Sequence, residues 1–152
     1  MGYTHYWYRK AGSPVSIQLL MDMAEVIRRS PVPLAAADGT PGTEPEVSEG
    51  GVVFNGLGDL AHEPFEFLVV AQRQPWESEA EPWAFRFCKT ERKPYDAVVV
   101  ACLLAAKHHL GEHIRISSDG HWADWRQGAD LYEAVFPARA PVECPFEQER
   151  QK

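Results

Sequence analysis

Two spacings of apolar residues alternate along this chain, one of period two and one near 3.6. Residues 2–9 are rich in Tyr, Thr and Trp, which suit a pleated surface, and they predict a first strand. Ile17, Leu20, Met23, Ala24 and Ile27 then recur at helical spacing, with Gln18, Asp22, Glu25 and Arg29 on the opposite side. Ser13 reads as the N-cap of this helix and Pro14 as its first residue. Arg28 and Arg29 complement the dipole of its last turn, and Pro31 stops it. Residues 33–50 break both periods and read as a surface loop, with a short strand at 34–37. A strand resumes at 51–55, followed by the turn cluster Asn55-Gly56-Leu57-Gly58-Asp59. Phe65, Phe67 and Val69 alternate with Glu66 and Leu68. After the acidic loop 72–82, Trp83, Phe85 and Phe87 alternate with Ala84, Arg86 and Cys88.

The segment 94–110 is apolar nearly all round, which predicts a central helix covered on more than one side. A short strand at 114–117 follows, and Asp119 is placed to cap a last helix. Trp122, Trp125, Ala129, Tyr132 and Phe136 form one stripe of that helix, with Gly128 in its middle, and Pro137 ends it. Segregated strands and helices predict an α+β domain. Its mostly antiparallel sheet has about five or six strands, covered by about three helices. The domain is expected over 1–137, with an irregular Pro-rich tail at 138–152.

Composition narrows the function. A length of 152 residues suits one domain, and five tryptophans predict an aromatic core or an aromatic binding surface. The net charge of -7 argues against nucleic-acid duplex binding by phosphate neutralisation. It suits instead a basic protein partner met through acidic residues at 38–49 and 72–82. Cys88, Cys102 and Cys144 are odd in number and widely spaced, so reduced thiols and a cytoplasmic location are expected. The N-terminal residues lack the apolar core of a signal peptide, and the longest apolar run, 97–106, is about half a bilayer span. No membrane association is expected.

One stretch reverses the charge. Between the strand ending at Cys88 and the helix opening at Pro94, Lys89, Arg92 and Lys93 face only Glu91, with Arg86 just before. Cations and the Thr90 hydroxyl beside a helix start are suited to a small anion. A second junction carries Ser117, Ser118 and Asp119. If the strands before Thr90 and before Ser118 run parallel, both junctions open at one end of the sheet. His5, on the first strand, is placed to lie beside them. Lys89, Thr90, Arg92, Lys93, Ser117, Ser118, Asp119 and His5 are therefore the candidate ligand-binding residues. Ser117, Ser118 and Asp119 also have a plain role as turn and cap residues. No metal site or cofactor is expected: His109 and His113 are four apart, but Gly111 ends the helix that would align them. Cys88 beside Lys89 has a neighbour that lowers a thiol pKa, but a nucleophile also needs a positioned base, and a buried, inert thiol is the plainer expectation.

The segments Met-Gly-Tyr-Thr-His-Tyr-Trp (1–7), Phe-Cys-Lys-Thr-Glu-Arg-Lys-Pro-Tyr-Asp (87–96) and Ser-Ser-Asp-Gly (117–120) resemble a group of small bacterial and phage proteins. The resemblance carries no activity, ligand or catalytic residue with it. It implies a setting in which a phage protein counters host defence, by occluding a protein or by sequestering a nucleotide signal. The leading expectation is a binding protein for a phosphate- or carboxylate-bearing, nucleotide-like small molecule. The alternatives are an acidic inhibitor of a host defence protein, and a small hydrolase or transferase using His5, Cys88 or Asp119.

Overall fold

The computed structural model describes residues 2–78, 80 and 82–147. Its elements are, in order, β1 (Thr4–Lys10), α1 (Ile17–Arg28), β2 (Leu34–Ala35), β3 (Glu46–Ser48), β4 (Gly51–Gly56) and β5 (Phe65–Leu68). There follow β6 (Trp83–Lys89), α2 (Asp96–Leu110), β7 (Ile114–Ser118) and α3 (Arg126–Val135). The fold is α+β. In place of one expected sheet there are two antiparallel ones, a three-stranded sheet ordered β6-β1-β7 and a four-stranded sheet in which β2, β3 and β5 pair with β4. β3 lies in a stretch that composition marks as loop; its residues are all exposed and leave no alternating signature.

The three-stranded sheet has two unlike faces. Trp7 and Arg9 of β1, Ala84 and Cys88 of β6, and Ile114 and Ile116 of β7 point inward and are buried. The outward positions are Thr4, Tyr6, Tyr8 and Lys10 on β1, and Trp83, Phe85, Phe87 and Lys89 on β6. β7 adds Arg115 and Ser117, opposite Tyr8 and Tyr6.

All residues from 98 to 106 in α2 are buried, and α2 packs against α1, α3 and β7. Full burial of a side chain such as Leu103 contributes about 1.5–3 kcal/mol. Gly128 sets the approach of α3: a Cβ there would lie 2.2 Å from Val100 Cγ1. Lacking a Cβ, Gly128 is what lets the helix seat.

Several boundaries differ from expectation. Ser16, not Ser13, caps α1, its hydroxyl accepting the Leu19 N–H at 3.3 Å. Pro14 is held extended by a bridge to Val70, so the helix cannot start there. The buried stripe is Leu19, Leu20, Met23 and Val26, which leaves Ile17 66% exposed. The final helix opens through a 3-10 turn at Trp122–Trp125, where the Asp124 carboxylate accepts the His121 N–H at 2.8 Å. Asp119 is employed elsewhere. Within the expected tail, Phe146 is buried, bridges Ile116 and packs edge-on to Trp125; residues 148–152 lie outside the described residues. Among the described residues no helix is long and apolar enough to cross a membrane.

Candidate functional site

β6 and β7 both run antiparallel to β1, so they are parallel to each other and their C-terminal junctions open at the same end. The Thr90 N–H donates to the Tyr3 carbonyl at 3.0 Å and the Asp119 N–H to the Thr4 carbonyl at 2.9 Å. The two junctions therefore flank the start of β1, and His5 sits between them with no exposed surface.

The His5 imidazole is fully bonded. Its Nε2 lies 2.7 Å from Asp96 Oδ1 and its Nδ1 lies 2.8 Å from Ser118 Oγ. Ser118 Oγ also accepts from the Gly120 N–H at 3.0 Å and from Trp125 Nε1 at 3.2 Å. Those two donors occupy both lone pairs of the hydroxyl, so its proton goes to Nδ1, and Nε2 carries the proton that Asp96 accepts. Thr90, buried, donates its hydroxyl to the same Asp96 oxygen at 2.5 Å. Asp96 was not foreseen as a site residue; its signal is an acidic residue in the first turn of an otherwise apolar helix.

The other residues of the two loops are also engaged. The Asp119 carboxylate accepts from the Thr4 N–H and the Tyr6 hydroxyl, each at 3.0 Å, which ties β7 to β1 instead of capping a helix. Glu91 and Arg92 adopt consecutive positive φ values of 54° and 60°, a conformation costing roughly 1–2 kcal/mol for a residue with a Cβ. The turn lays the Arg92 guanidinium 3.9 Å over the Tyr3 ring, with Asp124 at 3.7 Å. Lys89 lies 3.7 Å from Glu91, and Lys93 donates to the Asp59 carbonyl at 3.1 Å. Tyr3 is buried with its hydroxyl making no hydrogen bond, although Ser118 and Gly120 are beside it. Burial, with Asp96 and Asp124 nearby, pushes its pKa up to about 12.

A carboxylate, an imidazole and a hydroxyl in sequence have the parts of a nucleophilic relay. Here, however, the hydroxyl oxygen has no free lone pair and the imidazole no solvent contact. Among the described residues, His5, Cys88 and Asp119 share no side-chain hydrogen bond. The Cys88 thiol is buried, points to the Glu63 carbonyl at 3.5 Å, and is pushed well up by burial, overriding the adjacent Lys89. Among the described residues, no three His, Cys, Asp or Glu side chains gather as a metal would require.

Open space lies on the other face of the sheet. A cleft of about 610 Å³ is lined by Tyr8, Trp83, Arg115 and Ser117 and also by the carboxylates of Glu77 and Glu147. The Arg115 guanidinium covers the Trp83 ring at 4.2 Å, and Lys10 Nζ lies 6.0 Å from the same ring. Among the described residues neither cation has a carboxylate or carbonyl partner. The bordering acids are committed: Glu77 accepts the Gln74 and Phe85 N–H groups, and Glu147 lies 3.6 Å from Lys107. Of the eight candidates, His5, Thr90 and Ser118 thus meet in a buried cluster, with Asp119 and Arg92 at its margin. Lys89 and Lys93 lie on the loop outside, and Ser117 alone faces the cleft. Arg115, Trp83, Tyr8 and Lys10 were missed, although the alternation Ile114-Arg115-Ile116-Ser117 already sets Arg115 and Ser117 on one face. Comparison with protein-family models, with curated proteins and with solved structures finds no match for this chain.

Proposed function

We infer that the protein binds a small anionic ligand carrying a planar ring, a nucleotide-like molecule, in the cleft between Trp83, Tyr8, Arg115 and Ser117. One observation carries this reading: Lys10 and Arg115 flank Trp83 without a carboxylate or carbonyl partner among the described residues, in an acidic chain whose loop cations are already engaged. The cleft volume of about 610 Å³ matches ordinary small-ligand sites. Arg115 offers forked donors to a phosphate or carboxylate, Ser117 a hydroxyl, and the aromatic walls a stacking surface. The anion site thereby moves from the 89–93 loop to the outer face of the sheet.

The test is quenching of tryptophan fluorescence by adenosine 5′-monophosphate, with adenosine and inorganic phosphate as controls. Arg115→Ala is expected to weaken binding about tenfold or more, the loss of a charged hydrogen bond. Arg92→Ala and Lys93→Ala are expected to leave it unchanged. Equal affinity in Arg115→Ala and the parent protein would overturn the reading.

A second reading has its own observation. Trp76 is 74% exposed within the acidic loop 72–82, of which residues 79 and 81 lie outside the described residues. An exposed tryptophan among glutamates is suited to anchor a basic protein partner. Trp76→Ala should then abolish association with that partner while leaving nucleotide quenching intact.

A further inference from the structure

We propose that the outer face of the β6-β1-β7 sheet is a platform for single-stranded nucleic acid, of which the Trp83–Arg115 cleft is one end. The proposal rests on the reading of that cleft as a nucleotide-like site and extends it from one nucleotide to a short strand.

Three observations carry it. The outward positions of the three strands hold five aromatic rings, three cations, one serine and one threonine, and the acids nearest the cleft, Glu77 and Glu147, come from outside the strands. Second, four of the rings, Tyr6, Tyr8, Phe85 and Phe87, form one cluster. Tyr8 and Phe85 lie 4.9 Å apart, Phe85 and Phe87 5.9 Å, and Tyr6 stacks on Phe85 at 6.2 Å with planes 17° apart. Tyr8 and Phe87 are 41% and 49% exposed, so the cluster is presented to solvent and not folded into the core. Third, Lys10 and Arg115 stand beside Trp83, and Lys89 stands beyond Phe87 in a partly exposed 3.7 Å pair with Glu91, an arrangement worth little in water that a phosphate can replace.

The chemistry of that arrangement is specific. Any nucleobase has a π-face, so a row of exposed rings stacks successive bases without demanding a sequence. Trp83 to Phe87 spans roughly 13 Å of strand, longer than one base. The terminal cations then meet phosphates on either side. A duplex hides its base faces, so the surface selects single strands, and overall acidity keeps non-specific duplex binding weak. Asp119, the carboxylate next to Tyr6, accepts the Thr4 N–H and the Tyr6 hydroxyl and stands at the margin of this face.

The experiment is fluorescence anisotropy of the full chain with labelled eight-nucleotide poly(U) and poly(dT), beside the same length of duplex and the mononucleotide titration above. Single strands are expected to bind more tightly than the mononucleotide and the duplex. Contacts to three phosphates predict a log–log salt slope of about -2. Phe87→Leu and Tyr6→Leu, which keep bulk and remove the ring, should each weaken oligonucleotide binding about tenfold without changing mononucleotide affinity. Circular dichroism confirms their fold, and Phe87→Ser serves as a second substitution at the most exposed ring. If the mononucleotide binds and the oligonucleotide binds no better, the platform is refuted and the cleft reading stands. If neither binds, both are refuted. Equal affinity for duplex, or capture of a protein by this face with no response to oligonucleotide, likewise overturns the proposal.

Discussion

His5 Nε2 and Asp96 Oδ1 lie 2.7 Å apart across 91 residues of sequence, and this bond joins the first strand to the first turn of the apolar helix. It does so inside the protein, with Thr90 and Ser118 completing the coordination of both partners. Such a closed set of donors and acceptors stabilises a unique arrangement, because breaking any member strands the rest.

Asp96→Ala removes the acceptor of two donors, the imidazole N–H and the Thr90 hydroxyl. Its expected cost is roughly 2–6 kcal/mol in urea unfolding, since each orphaned buried donor costs about 1–3 kcal/mol. A double-mutant cycle with His5→Ala should give a coupling of about 1 kcal/mol or more. Strict additivity would mean that the bond contributes nothing to the fold.

Glu91→Gly should stabilise the protein by about 1 kcal/mol. The substitution relieves a φ of 54° and deletes a buried carboxylate oxygen that makes no hydrogen bond. It loses one pair with Lys89 at 3.7 Å, which is partly exposed and contributes little. A fall in the unfolding midpoint would show that the carboxylate has a role that this geometry does not explain.

At position 128, intrinsic helix preference and packing oppose each other. Alanine gains up to about 1 kcal/mol of helix propensity over glycine. The added Cβ would meet Val100 Cγ1 at 2.2 Å and the Ala97 carbonyl at 2.9 Å, so packing wins. Gly128→Ala is expected to cost about 1–3 kcal/mol net, and Val100→Ala in the same chain should reduce the additional penalty. Thermal unfolding of the single and double variants separates these outcomes.

Tyr3 gives a pH dependence with a definite sign. Its pKa is about 12 in the folded protein, against about 10 for an exposed tyrosine. Between those values the folded state retains a proton that the unfolded chain has lost, so stability falls as pH rises. Tyr95 and Tyr132 shift in the same direction, so Tyr3→Phe should shallow the alkaline slope between pH 10 and 12 without removing it. At pH 7 the variant should be as stable as the parent, because the deleted hydroxyl has no hydrogen bond. Chemical denaturation at pH 7 and pH 10.5 measures both effects, and an unchanged slope would remove Tyr3 from the account.

Local pattern carried much of this protein. The apolar run of α2, the alternation of β5 and β6, the reversal of charge at 89–93 and the stripe of α3 are all readable without a neighbour, because each depends on residues a few positions apart. The start of α1 was misplaced because Pro14 is held by Val70, a contact that no local window contains. Tertiary structure alone determined that β1 lies between β6 and β7, which buries His5 against Asp96 and Ser118 at separations of 91 and 113 residues. It also determined which face of that sheet is open. The same alternation that marks Tyr6, Tyr8, Phe85 and Phe87 as one side of their strands is silent on whether that side meets a helix or water. Strand pairing and layer packing are non-local, so the aromatic face and its cations emerge only once the helices have covered the other side.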